Sequence, residues 1–411
     1  MPVRKRYTSS PWPYRSGIVG TGASFRRYSA RVAEPIARPV LVTGNDAAAV
    51  GRAVVDQLAS PALKIAFVFA DSRLDPAALV GELRALAAPV VGCTAVGVIG
   101  PDGMAGPAPA VSALGLYGDW VRAGVGIAGE LSKSPLSRGR DAVHQAALAL
   151  GTTADALDPG RHIAITLVDG QYRHEEAFCI GSAAAAPQIR FIGGGASIAV
   201  EPDRDRRTYL WAGGQVLSDA ALAIVIDSDQ PFAAVTSSHL VPTAIKTVVT
   251  AATGRTIDEL DGRPAAARLR RLIAGIGDAL DEPRPLHAFA RYIDGVPYVR
   301  SLHRLVDDRL VLSAAVETGH ILHVMRPGDL IRTMKRDLAA AADRVGGAMA
   351  ALLAFSCMSR HAEAAARGTE RELSATFAAY PTIGFQSMSE QSGMLQVNHT
   401  LTGLAIGALK S

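Results

Sequence analysis

The sequence predicts a mixed α/β fold, with repeated strand-helix-strand-helix-strand units that form layered sheets covered by helices and with an antiparallel β extension. Three observations support this. Apolar runs of strand length are each followed by a helix-length amphipathic segment. The same order of elements recurs three times, which is typical of a duplicated fold. Between the second and third copies, apolar and polar residues alternate instead, as in antiparallel strands.

The first copy lies within residues 39–117. Its predicted elements are a strand at 39–44, a helix at 46–58, a strand at 64–70, a helix at 76–87, a glycine turn at 90–94 and a closing strand at 110–117. The run at 64–70 is almost continuously apolar, as expected when helices cover both faces of a strand.

The second and third copies repeat this order. The second has a strand at 123–128, a helix at 137–150, a strand at 162–168, an alanine-rich helix near 175–186, a glycine turn at 191–197 and a closing strand at 221–226. The third has a strand at 320–325, a helix at 328–345, a strand at 350–356, a long helix at 362–379, a glycine turn at 381–387 and a closing strand at 400–408.

The antiparallel extension is predicted over about residues 230–320, where Asp-Gly pairs at 261–262 and 294–295 predict hairpin turns. The Asp-Glu-Pro-Arg-Pro segment at 281–285 interrupts the pattern and predicts a boundary. The chain therefore divides into a basic, poorly ordered tail at 1–37, an N-terminal domain at 38–280 with two copies, and a C-terminal domain at 281–411 with the third.

Composition excludes several classes of protein. The 42 basic and 38 acidic residues nearly balance, and much of the basic excess lies in the N-terminal tail, so no basic stripe indicates nucleic-acid binding. The longest apolar runs are far shorter than the roughly 20 residues of a membrane span. Cys93, Cys179 and Cys357 lie too far apart for a disulfide framework or a zinc site, and they fit a reducing cytoplasm, so no metal site is predicted.

Several motifs point to one family. They are Pro-Val-Val-Gly-Cys-Thr-Ala-Val-Gly-Val-Ile at 89–99, Phe-Ile-Gly-Gly-Gly-Ala-Ser at 191–197, an Glu-Leu-Asp-Gly turn at 259–262, Gly-Phe-Gln-Ser-Met-Ser-Glu-Gln at 384–391 and Val-Asn-His-Thr-Leu-Thr at 397–402. Together they resemble the tandem N-terminal and C-terminal domains of the FIST family. The resemblance implies a bacterial, stand-alone sensory protein that binds a small molecule. Three positions depart from the family pattern, namely Val98, Ser389 and His399, and they predict a shift in ligand specificity.

The resemblance implies a ligand such as an amino acid or related metabolite. Glycine steps after strands let backbone N–H groups approach a carboxylate, and small polar side chains recur near them. The predicted ligand-binding residues are Gly92, Cys93, Thr94, Asp169, Gly193, Gly194, Gly195, Ser197, Ser387, Glu390 and Asn398. The competing interpretation is that these residues serve tight turns and satisfy the local backbone. Because the chain shows no kinase or cyclase segment, output would pass through a separate partner such as a histidine kinase.

Two alternatives stay open. Some members of the family bind haem and respond to nitric oxide, and the axial ligands to test are then His399 and His361, although the chain has no haem-attachment motif. A Cys-dependent hydrolase would use Cys93, or Cys357 with His361 four residues later, but neither forms a recognised motif.

Overall fold

The computed structural model describes residues 35–171, 174–199, 207–280 and 285–408, so nearly all of the predicted tail lies outside the described residues. The first unit has the predicted order of elements. These are β1 Ala37–Thr43, α1 Ala47–Leu58, β2 Leu63–Asp71, α2 Pro76–Leu83, β3 Val90–Ala95, β4 Val98–Gly100, β5 Gly103–Met104 and β6 Ala110–Tyr117. Asp46 and Asp75 cap α1 and α2 by accepting N–H groups of the first turn, which fixes where each helix begins.

The second unit has the same order. Its elements are β7 Val121–Gly129, α3 Pro135–Ala149, β8 His162–Val168, α4 Glu175–Ala185, β9 Arg190–Gly195, β10 Leu210–Ala212, β11 Gln215–Leu217 and β12 Ala220–Ser228.

The third unit begins with β13 Phe232–Ser237 and is then interrupted by an insertion. The insertion consists of β14 Leu240–Thr253, β15 Thr256–Leu260, β16 Arg263–Pro264, α5 Ala265–Ala274, β17 Ala288–Ile293, β18 Val296–Val306, β19 Arg309–Leu312 and β20 Ile321–Pro327. The unit continues with α6 Leu330–Arg344, β21 Met349–Cys357, α7 Met358–Arg367, α8 Glu370–Ala378, β22 Thr382–Ser387, β23 Glu390–Ser392, β24 Leu395–Val397 and β25 Leu401–Gly407.

The three units exchange hairpins in a cycle. Hairpin β10–β11 of the second unit extends the sheet of the first, β23–β24 of the third extends the sheet of the second, and β4–β5 of the first extends the sheet of the third. Each six-stranded sheet is therefore completed by a neighbour, and no unit is a closed structure by itself.

The central strands carry apolar side chains on both faces. Inward-facing residues of all three units share one core cluster, in which the rings of Phe69 and Phe385 lie 4.6 Å apart and those of Phe355 and Phe385 lie 5.5 Å apart. Outward-facing residues pack under the helices in separate clusters. The predicted mixed α/β fold of repeated units with layered sheets is confirmed.

The insertion is the predicted antiparallel extension. All of its strand pairs are antiparallel, and the pairing of β14 with β15 closes it into a barrel-like ring. The two Asp-Gly pairs turn as predicted, because Asp261, Gly262, Asp294 and Gly295 all have positive φ.

Two predicted elements of the third copy are wrong. The strand at 320–325 is β20 of the insertion, and the third unit instead begins with β13, which pairs with β25. The helix at 362–379 is two helices, because Gly368 adopts a left-handed conformation with a φ of 68° and ends α7.

The predicted glycine turns are strand interiors. Gly92, Gly193 and Gly384 occupy the same position in β3, β9 and β22, opposite Val68, Thr166 and Ala354. A Cβ atom at these glycines would lie 1.6, 2.2 and 1.9 Å from the carbonyl oxygen of the opposite residue. Glycine is therefore required by close strand packing and not by turning.

Candidate functional site

The predicted site residues lie near the carboxyl ends of the central strands. Each unit pairs two parallel strands, so both strand ends meet at one edge of the sheet. The described structure divides these residues into two groups, one at the joints between units and one around α7.

The first group joins the units. Ser197 N donates to the carbonyl oxygen of Thr94 at 3.1 Å, and Ser197 Oγ accepts from Val96 N at 2.9 Å and donates to the carbonyl oxygen of Gln386. Thr94 Oγ1 accepts from Tyr209 N at 3.0 Å. These side chains have partners within the fold, so they hold the three units together.

Asp169 lies in the same group and is fully buried. Its carboxylate accepts hydrogen bonds from Thr208 Oγ1, from Gln171 N at 3.1 Å and from Asp219 N at 2.9 Å. Burial raises the pKa of Asp169. Burial, followed by the charge of Asp169, raises the pKa of the Cys93 thiol well above its usual value.

Gly193, Gly194 and Gly195 connect the two groups. Gly194 pairs with Glu390 across β9 and β23, and Gly195 N donates to the carbonyl oxygen of Ser389 at 2.7 Å. The glycines thus bring the second unit against the segment that carries Ser387 and Glu390.

The second group forms a buried polar cluster, which we call the α7 cluster. Its members come from three segments, namely the end of β13 with the loop before β14, the end of β21 with α7, and the segment from the end of β22 to the loop before β25. They are Ser237, Ser238, His239, Cys357, Arg360, Glu363, Ser387, Glu390, Asn398 and His399; all are buried except Ser238, which is half-buried and has a buried hydroxyl oxygen. Because α7 begins directly after β21, its first turn lies against that strand end, and Arg360 and Glu363 face inward.

Glu390 occupies one side of the α7 cluster. Its carboxyl group accepts from Ser387 Oγ at 2.6 Å and from Thr400 N at 3.3 Å. Burial raises the pKa of Glu390 to about 8. Burial, followed by the charge of Glu390, also raises the pKa of Cys357.

A triad of side chains occupies the other side. Glu363 Oε2 lies 2.8 Å from His239 Nε2 and 2.7 Å from His399 Nε2, and all three side chains are at most 4% exposed. Burial alone would raise the pKa of Glu363, but the hydrogen bonds from His239 and His399 outweigh it and hold the pKa well below its usual range. Burial also lowers the pKa of His239. A buried carboxylate therefore lies between two imidazoles.

Arg360 lies between these two sides and is fully buried. Its Nη1 donates to the carbonyl oxygen of Ser237 at 3.1 Å, while Nε and Nη2 have no hydrogen-bond partner among the described residues. The side-chain nitrogen and oxygen of Asn398 and the hydroxyl groups of Ser237 and Ser238 also have no hydrogen-bond partner among the described residues. Buried polar atoms nearly always have partners, so this concentration of unpaired atoms indicates a place for a polar ligand or water.

The sequence indicates only part of this cluster. Five members were candidate residues, namely Cys357, Ser387, Glu390, Asn398 and His399, whereas Ser237, Ser238, His239, Arg360 and Glu363 were not. The signal was available in α7, where Arg360, Glu363 and Ala364 share the buried face of a helix that was predicted to begin later. β13 and the start of the insertion bring His239 close to α7, and no local pattern in the sequence indicates this proximity.

The two histidines of the haem alternative, His361 and His399, each contact another side chain. His361 Nε2 lies 3.0 Å from Ser356 Oγ, and its ring stacks on Phe377 with centroids 6.5 Å apart. Burial, followed by the charge of Arg360, lowers the pKa of His361 to about 3. His399 Nε2 is bound to Glu363. Haem ligation by either imidazole would require breaking these contacts within packed protein.

The thiols lack the properties of a nucleophile. All three cysteines are buried, and the imidazole of His361 contacts Ser356 rather than Cys357. A nucleophilic cysteine needs a lowered pKa, whereas the pKa values of Cys93 and Cys357 are raised. The geometry gives the hydrolase alternative no support.

Two surface pockets lie away from the α7 cluster. One, of about 210 Å³, is lined by residues of the first unit and the hairpin β10–β11, and includes Arg84 and Trp211. The other, of about 550 Å³, is lined by the insertion and includes Asp278 and Arg326. Neither pocket includes a member of the α7 cluster.

Comparisons with known proteins identify the family. The model of the FIST N domain matches residues 64–263, and the model of the FIST C domain matches residues 265–393. No curated protein shows significant sequence similarity to the chain. A crystal structure of cyanuric acid hydrolase from A. caulinodans aligns with 91% of this chain and 99% of that chain, at 12% identity and a TM-score of 0.32, which is too low to inform fold or function. The chain therefore belongs to the FIST family, whose domains bind small ligands in signalling, and it carries the N and C domains in tandem.

Proposed function

We propose that this protein is a bacterial cytoplasmic sensor that reversibly binds a small metabolite bearing a carboxylate, such as an amino acid, in the α7 cluster. The observation that carries the proposal is the edge of the Arg360 guanidinium for which the described residues supply no hydrogen-bond partner. The predicted residues Ser387, Glu390 and Asn398 belong to the same cluster.

The chemistry of Arg360 favours a carboxylate. Nε and Nη2 lie on one edge of the planar guanidinium, and their two N–H groups are parallel, so this edge binds a carboxylate through two hydrogen bonds. A fully buried arginine with two unpaired nitrogens is costly, since burial lowers its pKa to about 10. A ligand carboxylate would offset this cost.

The neighbouring groups fit the rest of an amino acid. Within the described part of the chain, the amide donor and acceptor of Asn398 and the hydroxyl groups of Ser237 and Ser238 have no hydrogen-bond partner. The side-chain oxygen of Asn398 is an acceptor for an ammonium group.

Signal output would depend on movement at the cluster. Because the α7 cluster is buried, a ligand would enter through displacement of the segments at 237–239 or 398–400. The first of these leads directly into the insertion, so ligand entry would alter the surface that the insertion offers to a partner. A histidine kinase encoded separately is the proposed partner class.

A thermal-shift screen tests the proposal. We expect amino acids to raise the Tm with concentration, because a ligand that binds only the folded state adds about 2.7 kcal/mol at 100 times its Kd. Each acid is compared with its carboxamide, which cannot accept two charge-assisted hydrogen bonds from Arg360, so the carboxamide should produce a much smaller shift.

Arg360→Lys is the matching variant, since it keeps the charge and removes the planar edge, and we expect it to abolish the shift. Arg300→Lys is the control. Arg300 is also buried, but Glu176 and the carbonyl oxygen of Gln396 already bind its guanidinium. Equal shifts with acid and carboxamide, or an unchanged response of the Arg360→Lys protein, would reject the proposal.

A further inference from the structure

Three potential metal ligands converge in the triad of the α7 cluster. His239 belongs to the loop after β13, Glu363 to α7 and His399 to the loop before β25, so distant parts of the chain supply them. The potential ligand atoms, one from each side chain, all lie within 4.8 Å of one another.

The distances are close to those of a metal site. Zn²⁺ binds imidazole nitrogen at about 2.0–2.1 Å and carboxylate oxygen at about 2.0–2.2 Å, so the ligand atoms of a tetrahedral site lie roughly 3.3–3.5 Å apart. In the triad, Glu363 Oε2 lies 2.8 and 2.7 Å from the two Nε2 atoms. Small outward movements of the side chains would admit an ion in place of the two N–H···O hydrogen bonds.

Contacts around the triad leave these atoms available and oriented. The second oxygen of Glu363, Oε1, forms an ion pair with Arg367 Nε at 3.1 Å, so Oε2 remains for an ion. His239 Nδ1 has no hydrogen-bond partner among the described residues, so the contact of Nε2 with Glu363 is what orients the imidazole. A neighbour that holds the second oxygen of a ligating carboxylate, as Arg367 holds that of Glu363, is typical of metal sites.

His399 is held toward the triad by its backbone. Its φ is 55°, in the left-handed region that is uncommon for residues other than glycine. The side chain is 4% exposed and its ring centroid lies 5.3 Å from that of His239. The fold thus accepts an unfavourable backbone conformation at the residue that brings the second imidazole to Glu363.

We propose that His239, Glu363 and His399 form a binding site for a divalent first-row transition metal ion such as Zn²⁺. Two imidazoles and one carboxylate are ligands that suit Zn²⁺, Fe²⁺ or Mn²⁺ better than Mg²⁺, Ca²⁺ or Cu⁺. Three protein ligands leave a coordination position for water or an exogenous ligand. The buried cation of Arg360 beside the site favours an anion in that position. The proposal is independent of the metabolite proposed above.

Metal titration of the full-length protein tests this site. The protein is freed of any affinity tag and treated with EDTA, and Zn²⁺ binding is measured by calorimetry. We expect one ion per chain. Co²⁺ serves as a spectroscopic probe and is expected to give visible absorption bands of a site with nitrogen and oxygen ligands, which Zn²⁺ then displaces.

Two variants remove ligands while keeping similar shapes, Glu363→Gln and His399→Gln. Each is expected to weaken Zn²⁺ binding at least about 100-fold and to abolish the Co²⁺ bands, since loss even of an outer-shell partner costs roughly 10- to 100-fold. His287→Gln is the control, because His287 is a buried histidine that lies 3.0 Å from a single carboxylate, that of Asp278.

Circular dichroism establishes that each variant is folded, and a variant that does not fold is replaced by His239→Gln. The absence of stoichiometric Zn²⁺ binding by the folded wild-type protein would overturn the proposal. So would binding that both ligand variants retain, because the ion would then lie elsewhere.

Discussion

At the residue scale, burial gives chemically ordinary side chains unusual properties. Glu390 and Glu363 lie in the same α7 cluster, yet their pKa values move in opposite directions. The pKa of Glu390 rises because burial outweighs its hydrogen bonds with neutral donors. That of Glu363 falls because two imidazole groups donate to it. The number and type of donors therefore decide the charge of each buried carboxyl group.

Glu390 should make the stability of the protein depend on pH. Its pKa is near 8 in the folded state and about 4.3 in the unfolded chain, so the folded state binds the extra proton between these values. The stabilising contribution is fully present below about pH 4 and is lost as the pH rises toward 8.

Glu390→Gln removes this titration and keeps an acceptor for Ser387 Oγ. We expect the free energy of unfolding of the variant, relative to wild type, to rise by roughly 1 kcal/mol per pH unit from pH 5 to 8 and to level off above that. Urea unfolding at several pH values measures it. A difference that does not vary with pH would show that Glu390 is ionised in the folded protein throughout.

At the scale of the elements, close approach of parallel strands explains the recurring glycines. The glycine at each equivalent position faces the carbonyl oxygen of the neighbouring strand at a distance that excludes a Cβ atom. The sequence shows these glycines but predicts turns, because a glycine after an apolar run has the same local pattern in a turn and in a closely packed strand.

Gly384→Ala should be strongly destabilising. Its Cβ would lie 1.9 Å from the carbonyl oxygen of Ala354, so β21 and β22 would have to separate, at a cost of about 1–3 kcal/mol or more. Gly106→Ala is the control, since Gly106 is exposed and no atom lies within 4 Å of its added Cβ. We expect its stability to stay within about 0.5 kcal/mol of wild type. Chemical denaturation measures both, and equal effects would contradict the packing explanation.

At the scale of the whole molecule, the cyclic exchange of hairpins couples the three units. Hairpin β10–β11 places Trp211 of the second unit against Gly92 of the first, and the other two exchanges link the remaining pairs. A unit that unfolds removes a hairpin from one neighbour and a supporting sheet from another. Ring closure should therefore make unfolding cooperative.

We expect the Trp fluorescence and far-UV circular dichroism of the protein to report the same unfolding transition, because Trp120 and Trp211 sample two units and circular dichroism samples all elements. Truncation of the exchanged hairpin by replacing residues 210–217 with a short Gly-Ser linker should lower the Tm of the whole protein. Separate transitions in the wild type would show that the units fold independently.

The sequence by itself determined the order of strands and helices in the first two units, the antiparallel extension and the family. These features depend on local periodicity and on short motifs, both of which can be recognised from residues that are close together in the sequence. The division into domains at 38–280 and 281–411, and the ligand assigned to the predicted residues, remain predictions.

Only the tertiary structure decided which residues meet. The insertion separates β13 from the rest of the third unit in the chain, but β13 remains part of that unit in space. His239, which follows β13, therefore lies beside Glu363 and His399. Likewise, Thr94 and Ser197 became joints between units because hairpins cross from one sheet to the next. Contacts of this kind depend on long-range pairing, which no local pattern of residues indicates.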